Sequence, residues 1–190
     1  LRYLSSGAIK GIGPAMAARM VQTFGENTLE VMEKEPERLC VIKGITPAKA
    51  EKIQQEFVRM HGIKELMVYL GKYGITPEEA IRIWKVFGST ASEQIQEDPF
   101  CLCQAEVGID FVRADGIAEA FSRPQNDIRR IQAGLRYVLE HNTQNGHTCL
   151  PMDKLVFATA QMLGVSPGFT QECLEDMLDS QSLLQGTLDD

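Results

Sequence analysis

The amino-acid sequence predicts an all-α chain of tandem helical hairpins in two pairs, followed by a truncated winged-helix-like helical segment. Two observations carry this prediction. A short Gly-Ile-x-Pro turn recurs along the first half of the chain, and an Ala-containing stretch with helical spacing follows each clear copy. We expect one hairpin pair in residues 1–60, a second in residues 61–122, and the winged-helix-like segment in residues 123–190.

The first turn is the sequence Lys10-Gly11-Ile12-Gly13-Pro14. The two glycines allow positive φ angles and a close approach of the backbone to another surface. Pro14 suits the first position of a helix, because its φ is fixed and its missing N–H is not needed there. The free N–H groups of that helix N-terminus then lie beside Lys10 and form an anion site. We therefore predict a DNA-phosphate contact at Lys10, Gly11, Ile12 and Gly13.

The turn is an internal repeat. It returns as Gly44-Ile45-Thr46-Pro47 and as Gly74-Ile75-Thr76-Pro77, and a weaker fourth copy is Val107-Gly108-Ile109-Asp110. One isolated copy is ordinary helix punctuation. Three clear copies, each opening a helix, are a strong sign of a repeated hairpin whose helix N-termini follow one nucleic-acid backbone. Such contacts bind phosphate without reading the base sequence.

The copies differ in charge. The second keeps a cation in Lys43 and adds Lys49, and its Thr46 hydroxyl is a further group that can hold a phosphate. We therefore add Lys43, Gly44, Thr46 and Lys49 to the predicted DNA contacts. The third copy instead carries two glutamates on its first helical turn, and the fourth has Asp110 in the second glycine position. Negative side chains there satisfy the helix and repel phosphate. The second pair is therefore interpreted as scaffold or as a surface that faces protein.

The remaining elements follow from apolar spacing and capping residues. We expect the helix that begins at Pro47 to end at His61-Gly62, which separates the two pairs, and a new helix from Ile63. Thr76 and Glu79 form a capping box. Further helices are predicted from about Thr28 to Lys34, Glu93 to Glu97 and Val112 to Phe121.

The tail begins after a boundary at residues 122–126. A helix is expected from Asn126 or Asp127 to Asn145-Gly146, a second from Pro151 to Leu163, and a third from Pro167 to Asp179. We also expect two short strands, at Thr148–Leu150 and at Leu183-Leu184. This order is typical of a winged helix that lacks its wing.

Charge is distributed unevenly along the chain. The net charge is −7, with 44% hydrophobic and 24% charged residues, as in ordinary globular proteins. Residues 1–60 carry nine Lys/Arg and seven Asp/Glu, a net of +2. Residues 61–122 and 123–190 have net charges of −5 and −4. If the chain contacts phosphate, the contact belongs to the first pair.

The sequence predicts neither catalysis nor a cofactor in this fragment. It contains no phosphate-binding loop for ATP and no supported Ser/His/Asp arrangement. His141, His147 and Cys149 lack a fourth ligand at a usual spacing, so we predict no metal site. The five scattered cysteines are typical of reduced thiols in a cytoplasmic protein. The chain starts on Leu and has no apolar run that spans a membrane, so we expect a cytoplasmic fragment without membrane contact.

Several stretches resemble a known family. Five stretches are similar to the N-terminal helix-hairpin-helix region of long-form bacterial RecD-like DNA helicases: residues 3–14, 24–31, 35–39, 136–139 and 146–151. The resemblance covers nearly the whole chain in the same order. The sequence departs from the family's idealised hairpin at Thr46, Thr76 and Asp110.

The resemblance implies a function for the longer protein. This family is related to the alpha subunit of exodeoxyribonuclease V and moves 5′ to 3′ on single-stranded DNA, using ATP and Mg²⁺ in motor domains outside this chain. It implies a parent helicase, an ATP hydrolase, in DNA repair or recombination. The implied partners are single-stranded or forked DNA, the motor domains of the same chain, and other repair proteins.

Two other functions stay open. The hairpins are a structural adaptor if they dock the motor domains or a partner protein without touching DNA, and the acidic balance favours this alternative. A base-excision glycosylase is the third alternative, but it needs a catalytic Asp and a base pocket around a single hairpin. Salt-dependent DNA binding that requires Lys10 and Lys43 separates the first function from the adaptor.

Overall fold

The computed structural model describes residues 9–144 and 149–186, apart from the side chain of Gln144. The chain divides into two compact units, Leu1–Ala91 and Ser92–Asp190. Over the described ranges no residue is in a β-strand, so the predicted all-α class is confirmed. No helix in those ranges is long and apolar enough to cross a membrane. The helices are α1 (Pro14–Phe24), α2 (Thr28–Lys34), α3 (Pro47–Gly71), α4 (Pro77–Phe87), α5 (Ala91–Glu97), α6 (Phe111–Ala120), α7 (Ile128–Gln144), α8 (Met152–Leu163) and α9 (Pro167–Asp179).

The internal repeat is visible in the backbone. Gly25 ends α1 at φ 57°, and Gly88 ends α4 at φ 59°. Each glycine N–H closes the helix before it, on the Val21 and Trp84 carbonyls respectively. A 3₁₀ turn follows in both cases, Gly25–Asn27 and Gly88–Thr90. Positive φ is accessible to glycine without strain, so the same residue ends the same element in both copies.

The first two hairpins share a hydrophobic core. Helices α1, α2 and α3 contribute apolar side chains to it, together with the 3₁₀ segment Pro36–Val41. Its largest fully buried side chains are Ile9, Met20, Met32, Leu39 and Ile53. Burying such side chains stabilises the unit by about 1.5–3 kcal/mol each. The core holds the two turns at fixed positions, one before α1 and one before α3.

The predicted helix break at His61-Gly62 is wrong, because α3 continues without interruption from Pro47 to Gly71. Gly62 is buried in the middle of this helix. A Cβ placed there would lie 2.0 Å from the Trp84 ring of α4. Gly62 is therefore a packing residue that lets the indole of α4 approach the backbone of α3. The division of the chain at residues 60 and 122 stays a prediction.

The second unit has its own core, built from α6, α7, α8 and α9 with the 3₁₀ segment Pro99–Cys103. The predicted strands are wrong where the structure describes them, because Cys149, Leu150, Leu183 and Leu184 are not in strands. Leu150 and Leu183 pack instead as partly buried side chains against this core, whereas Cys149 and Leu184 are exposed. The expected helix end at Asn145-Gly146, and Thr148 of the first strand, lie outside the described residues.

Candidate nucleic-acid interface

The first two turns have the same backbone geometry. The Ile12 N–H donates to the Ile9 carbonyl at 3.1 Å, and the matching isoleucines of the second turn form the same bond at 3.1 Å. Gly11 lies at φ 96° and Gly44 at φ 97°. A positive φ at the third residue of a four-residue turn is the type II pattern, which favours glycine. The two turns therefore present their central residues, Lys-Gly in each case, in the same way.

Each turn buries its apolar residues and exposes its cation. Ile12 and Ile45 are buried in the first core, whereas Lys10 and Lys43 are exposed. Ile12 was predicted as a contact residue, and the structure places its side chain in the core with its N–H bonded inside the turn. Ile12 therefore anchors the turn and orients the exposed Lys10.

The N-terminus of α1 lacks a side-chain cap. Gly13 is the capping residue, and its carbonyl accepts from Met16 N–H at 3.0 Å and Ala17 N–H at 2.9 Å. The first turn of α1 has no acidic side chain. Within residues 9–144, no protein acceptor is present for the N–H groups of Gly13 and Ala15. An uncapped helix start of this kind is suited to an external anion.

The second hairpin combines a cap with two cations. The Thr46 hydroxyl accepts from Lys49 N–H at 3.3 Å, and the Lys49 Nζ donates to the Gly44 carbonyl at 3.4 Å. A hydroxyl that accepts in a cap keeps its own proton for donation. Thr46 therefore caps α3 and still has an O–H donor for a ligand oxygen. Lys49 is half-buried beside the turn.

Sequence reasoning missed Arg19. Its Nη1 donates to the Lys43 carbonyl at 3.0 Å, which links α1 to the second turn. Met16, one helical turn earlier, lies 3.8 Å from the position of a Cβ on Gly44. The first two hairpins are therefore side by side, and Arg19 joins Lys43 and Lys49 around one turn. The available signal was that Arg19 is the one cation in the α1 sequence.

The third hairpin is closed by its own carboxylate. Glu79 N–H donates to the Thr76 hydroxyl at 3.3 Å, and Thr76 N–H donates to the Glu79 Oε2 at 2.8 Å. The predicted capping box is confirmed. This carboxylate occupies the position that an external anion takes at an uncapped helix.

The fourth hairpin has an aspartate cap. Arg113 N–H donates to the Asp110 Oδ1 at 3.0 Å, and the Arg113 guanidinium lies 3.9 Å from the other carboxylate oxygen. The four helix starts thus differ in kind. The first is uncapped, the second has a hydroxyl and cations, and the last two have carboxylates.

Metal chemistry receives no support in the ranges that the structure covers. No group of three His, Cys, Asp or Glu side chains there is arranged to hold a metal ion. His147, one of the three residues considered for such a site, lies outside the described residues.

Comparisons with known proteins also show similarity to helix-hairpin-helix domains. Residues 59–149 match the family described as the ATP-dependent RecD2 DNA helicase HHH domain. Residues 2–59 match the family described as a SAM-like helix-hairpin-helix tandem. The chain is also 28% identical over 172 residues to the ATP-dependent RecD2 DNA helicase of Deinococcus radiodurans. That similarity covers 90% of this chain and 24% of the relative, so the chain spans about a quarter of the relative's length.

Proposed function

Because residues 2–149 match two helix-hairpin-helix families, one of them that of the RecD2 DNA helicases, we propose that the first two hairpins of this chain bind and position the DNA backbone without reading bases. The observation that carries the proposal is the uncapped start of α1 beside a second turn that gathers three cations. N–H groups and cations bind phosphate oxygens, which are the same at every base.

The proposed contact set has two parts. Backbone N–H groups of the two turns, with the Thr46 hydroxyl, donate to phosphate oxygens. The cationic side chains then neutralise the phosphate charge. The set is Lys10, Gly11, Gly13, Lys43, Gly44, Thr46 and Lys49 from the sequence, with Arg19 added by the structure and Ile12 as the buried anchor.

The wider proposal concerns the longer protein. It is an ATP-dependent 5′–3′ DNA helicase of repair or recombination, whose motor domains bind ATP and Mg²⁺ and act on single-stranded or forked DNA. The 28% identity to a RecD2 helicase supports this proposal. This region positions the DNA and contacts the motor domains of the same chain. It contacts other repair proteins through residues 61–190, whose net charge is negative.

Fluorescence anisotropy with labelled single-stranded and forked DNA tests the proposal. The variant is Lys10→Glu with Lys43→Glu. Its matched control is Lys64→Glu with Lys85→Glu, which makes the same charge change at two exposed lysines outside the first two turns. We expect the first variant to lose binding at about 50 mM salt and the control to keep most of it.

Salt dependence gives a second readout. Each lysine that contacts phosphate contributes about 0.7 to the slope of log K against log salt on single strands. We expect the Lys10→Glu, Lys43→Glu variant to flatten this slope and the control to leave it unchanged. Equal losses in the two variants would reject the assigned contacts. No binding by the unmodified chain at low salt would favour the structural adaptor, for which the carboxylate-closed third hairpin is the supporting observation.

A further inference from the structure

The second unit contains a cleft beside the fourth hairpin. It lies between the segment that runs from Asp98 to Phe111 and the exposed side of α7, and its volume is about 740 Å³. Sites that hold small ligands have volumes of roughly 300–1,000 Å³. The fourth hairpin thus borders a cleft large enough for a ligand. The loop that borders it corresponds to the loops that carry Lys10 and Lys43 in the first two hairpins.

A row of aromatic rings leads from the core into this cleft. Phe100 and Phe111 are stacked with their centroids 5.8 Å apart, and Tyr137 follows at 5.4 Å from Phe111. His141 continues the row at 6.3 Å from Tyr137. The two phenylalanines are buried, Tyr137 is half-buried and His141 is exposed. The exposed ring of His141, at the end of the row, therefore offers the cleft a π surface, on which planar groups and cations bind.

Unpaired charge in the cleft is mainly negative. The charged lining consists of four carboxylates and two guanidinium groups, Asp98, Glu106, Asp110, Glu140, Arg129 and Arg136. Arg129 is held by Glu97, with bonds of 2.6 Å to its carbonyl and 3.3 Å to its carboxylate. Within the described ranges, Glu106, Glu140 and Arg136 have no ion-pair partner. Two exposed carboxylates therefore remain against one guanidinium.

The pKa values of two thiols in the lining indicate the sign of the electrostatic potential in the cleft. Burial raises the pKa of Cys103 to about 12, and the charged groups that raise it further are all carboxylates, Asp110, Glu140, Asp98 and Asp115. Burial likewise raises the pKa of Cys101 to about 12, with Asp98 adding to the effect. A negative potential at this depth opposes a phosphate and favours a cation. The charge of the cleft is therefore opposite to that of the first two turns.

We propose that this cleft binds a peptide segment of a partner protein that presents an arginine side chain. A guanidinium is planar, so it stacks on the exposed ring of His141 at the end of the row and donates to the Glu140 carboxylate. A lysine ammonium has the charge but not the flat face, and it is more strongly hydrated. The proposal is independent of DNA binding by the first two hairpins.

The test is a titration of the isotopically labelled chain followed by nuclear magnetic resonance. The probes are the blocked peptides acetyl-Gly-Arg-Gly-amide, acetyl-Gly-Lys-Gly-amide and acetyl-Gly-Glu-Gly-amide, with deoxyadenosine monophosphate as the nucleotide alternative. We expect saturable shifts at Tyr137, Glu140 and Cys103 with the arginine peptide, at an affinity at least about tenfold above that of the glutamate peptide. Absence of saturable shifts there, or preferential binding of the nucleotide, would overturn the proposal.

Two exposed charges on α7 make the sign of the occupant testable without disturbing the fold. Glu140→Gln should weaken the arginine peptide several-fold, whereas Arg136→Gln should strengthen it, because a like charge has been removed. The matched control is Glu175→Gln, an exposed glutamate on α9 outside the cleft. Weaker binding of the arginine peptide after Arg136→Gln than after Glu140→Gln would reject arginine as the occupant of the cleft.

Discussion

Trp84 of α4 packs its ring directly over Gly62 in the middle of α3. A Cβ built on Gly62 would lie 2.0 Å from Cζ3 and 2.2 Å from Cη2 of that indole. Real Cβ contacts are never so short, so the ring would have to move. This contact explains how a glycine at the centre of a 25-residue helix is compatible with a stable fold.

We expect Gly62→Ala to destabilise the protein. Overpacking a rigid indole costs about 1–3 kcal/mol, whereas alanine in place of glycine in a helix returns up to about 1 kcal/mol. Urea denaturation monitored by far-ultraviolet circular dichroism should therefore show a net loss of roughly 1–2 kcal/mol in the free energy of unfolding.

Two further variants check the cause. Gly71→Ala, in the same helix with nothing within 4 Å of the new Cβ, should be neutral or slightly stabilising. Trp84→Leu should remove most of the penalty when it is combined with Gly62→Ala, because the ring that clashes is gone. A penalty that persists in the double variant would mean that the indole is not its source.

Arg19→Gln is expected to weaken DNA binding several-fold. The change removes a cation and the bond from Nη1 to the Lys43 carbonyl. Arg19→Lys should recover part of the affinity and of the salt dependence, since it restores the charge. Anisotropy at two salt concentrations measures both effects. Because Arg19 is exposed, the midpoint of thermal unfolding of the Arg19→Gln variant should hardly differ from that of the unmodified protein.

The Arg130–Asp115 pair should be among the strongest polar contributions to stability. Arg130 is 9% exposed and donates to both oxygens of Asp115, at 2.6 and 2.9 Å. It also donates to the carbonyls of Gln125 and Leu163. Asp115→Asn leaves a buried guanidinium without its counter-charge, so we expect a loss of about 3 kcal/mol in chemical denaturation.

A surface ion pair provides the comparison. Lys34 and Glu30 lie 3.3 Å apart with side chains 65% and 58% exposed. Solvent screens such a pair, so Glu30→Gln should change the free energy of unfolding by less than about 0.5 kcal/mol. Similar losses for the two variants would contradict the structural role given to Arg130.

Cys101 and Cys103 should react slowly with iodoacetamide at pH 8. Their pKa values of about 12 leave roughly one thiolate in ten thousand at that pH. Cys40 is exposed and should be alkylated first, which mass spectrometry of timed samples will show. Early labelling of Cys103 would contradict this order.

The same two thiols make stability depend on pH. Because their pKa in the folded state lies above that in the unfolded state, the unfolded chain releases these protons first as the pH rises. Stability should therefore fall as the pH rises from about 9 towards 12.

Local rules predicted much of the fold. The capping box at Thr76 and Glu79 and the helix starts at Pro14, Pro47 and Pro77 all follow from residues close in sequence. Such features depend on short-range hydrogen bonds and φ preferences. The sequence therefore placed them without information about the tertiary structure.

The errors arose where distant packing overrides local preference. Gly62 has the local signature of a helix end, but the indole of Trp84 fills the space above it. The sequence around Leu150 and around Leu183 suits a short β-strand, yet both side chains pack, partly buried, against helices. The residue assignments for DNA contact stay predictions.

By itself, the sequence determined the repeated turns, the all-α class and the charge contrast between the first hairpin pair and the rest of the chain. These depend on residue type and spacing, which are fully present in a linear chain. The tertiary structure alone decided that Arg19 reaches the second turn, that α3 is continuous, and that aromatic rings and carboxylates meet in one cleft. The physical reason is that these contacts join residues about 20 to 40 positions apart, and only the packed core determines which of them meet.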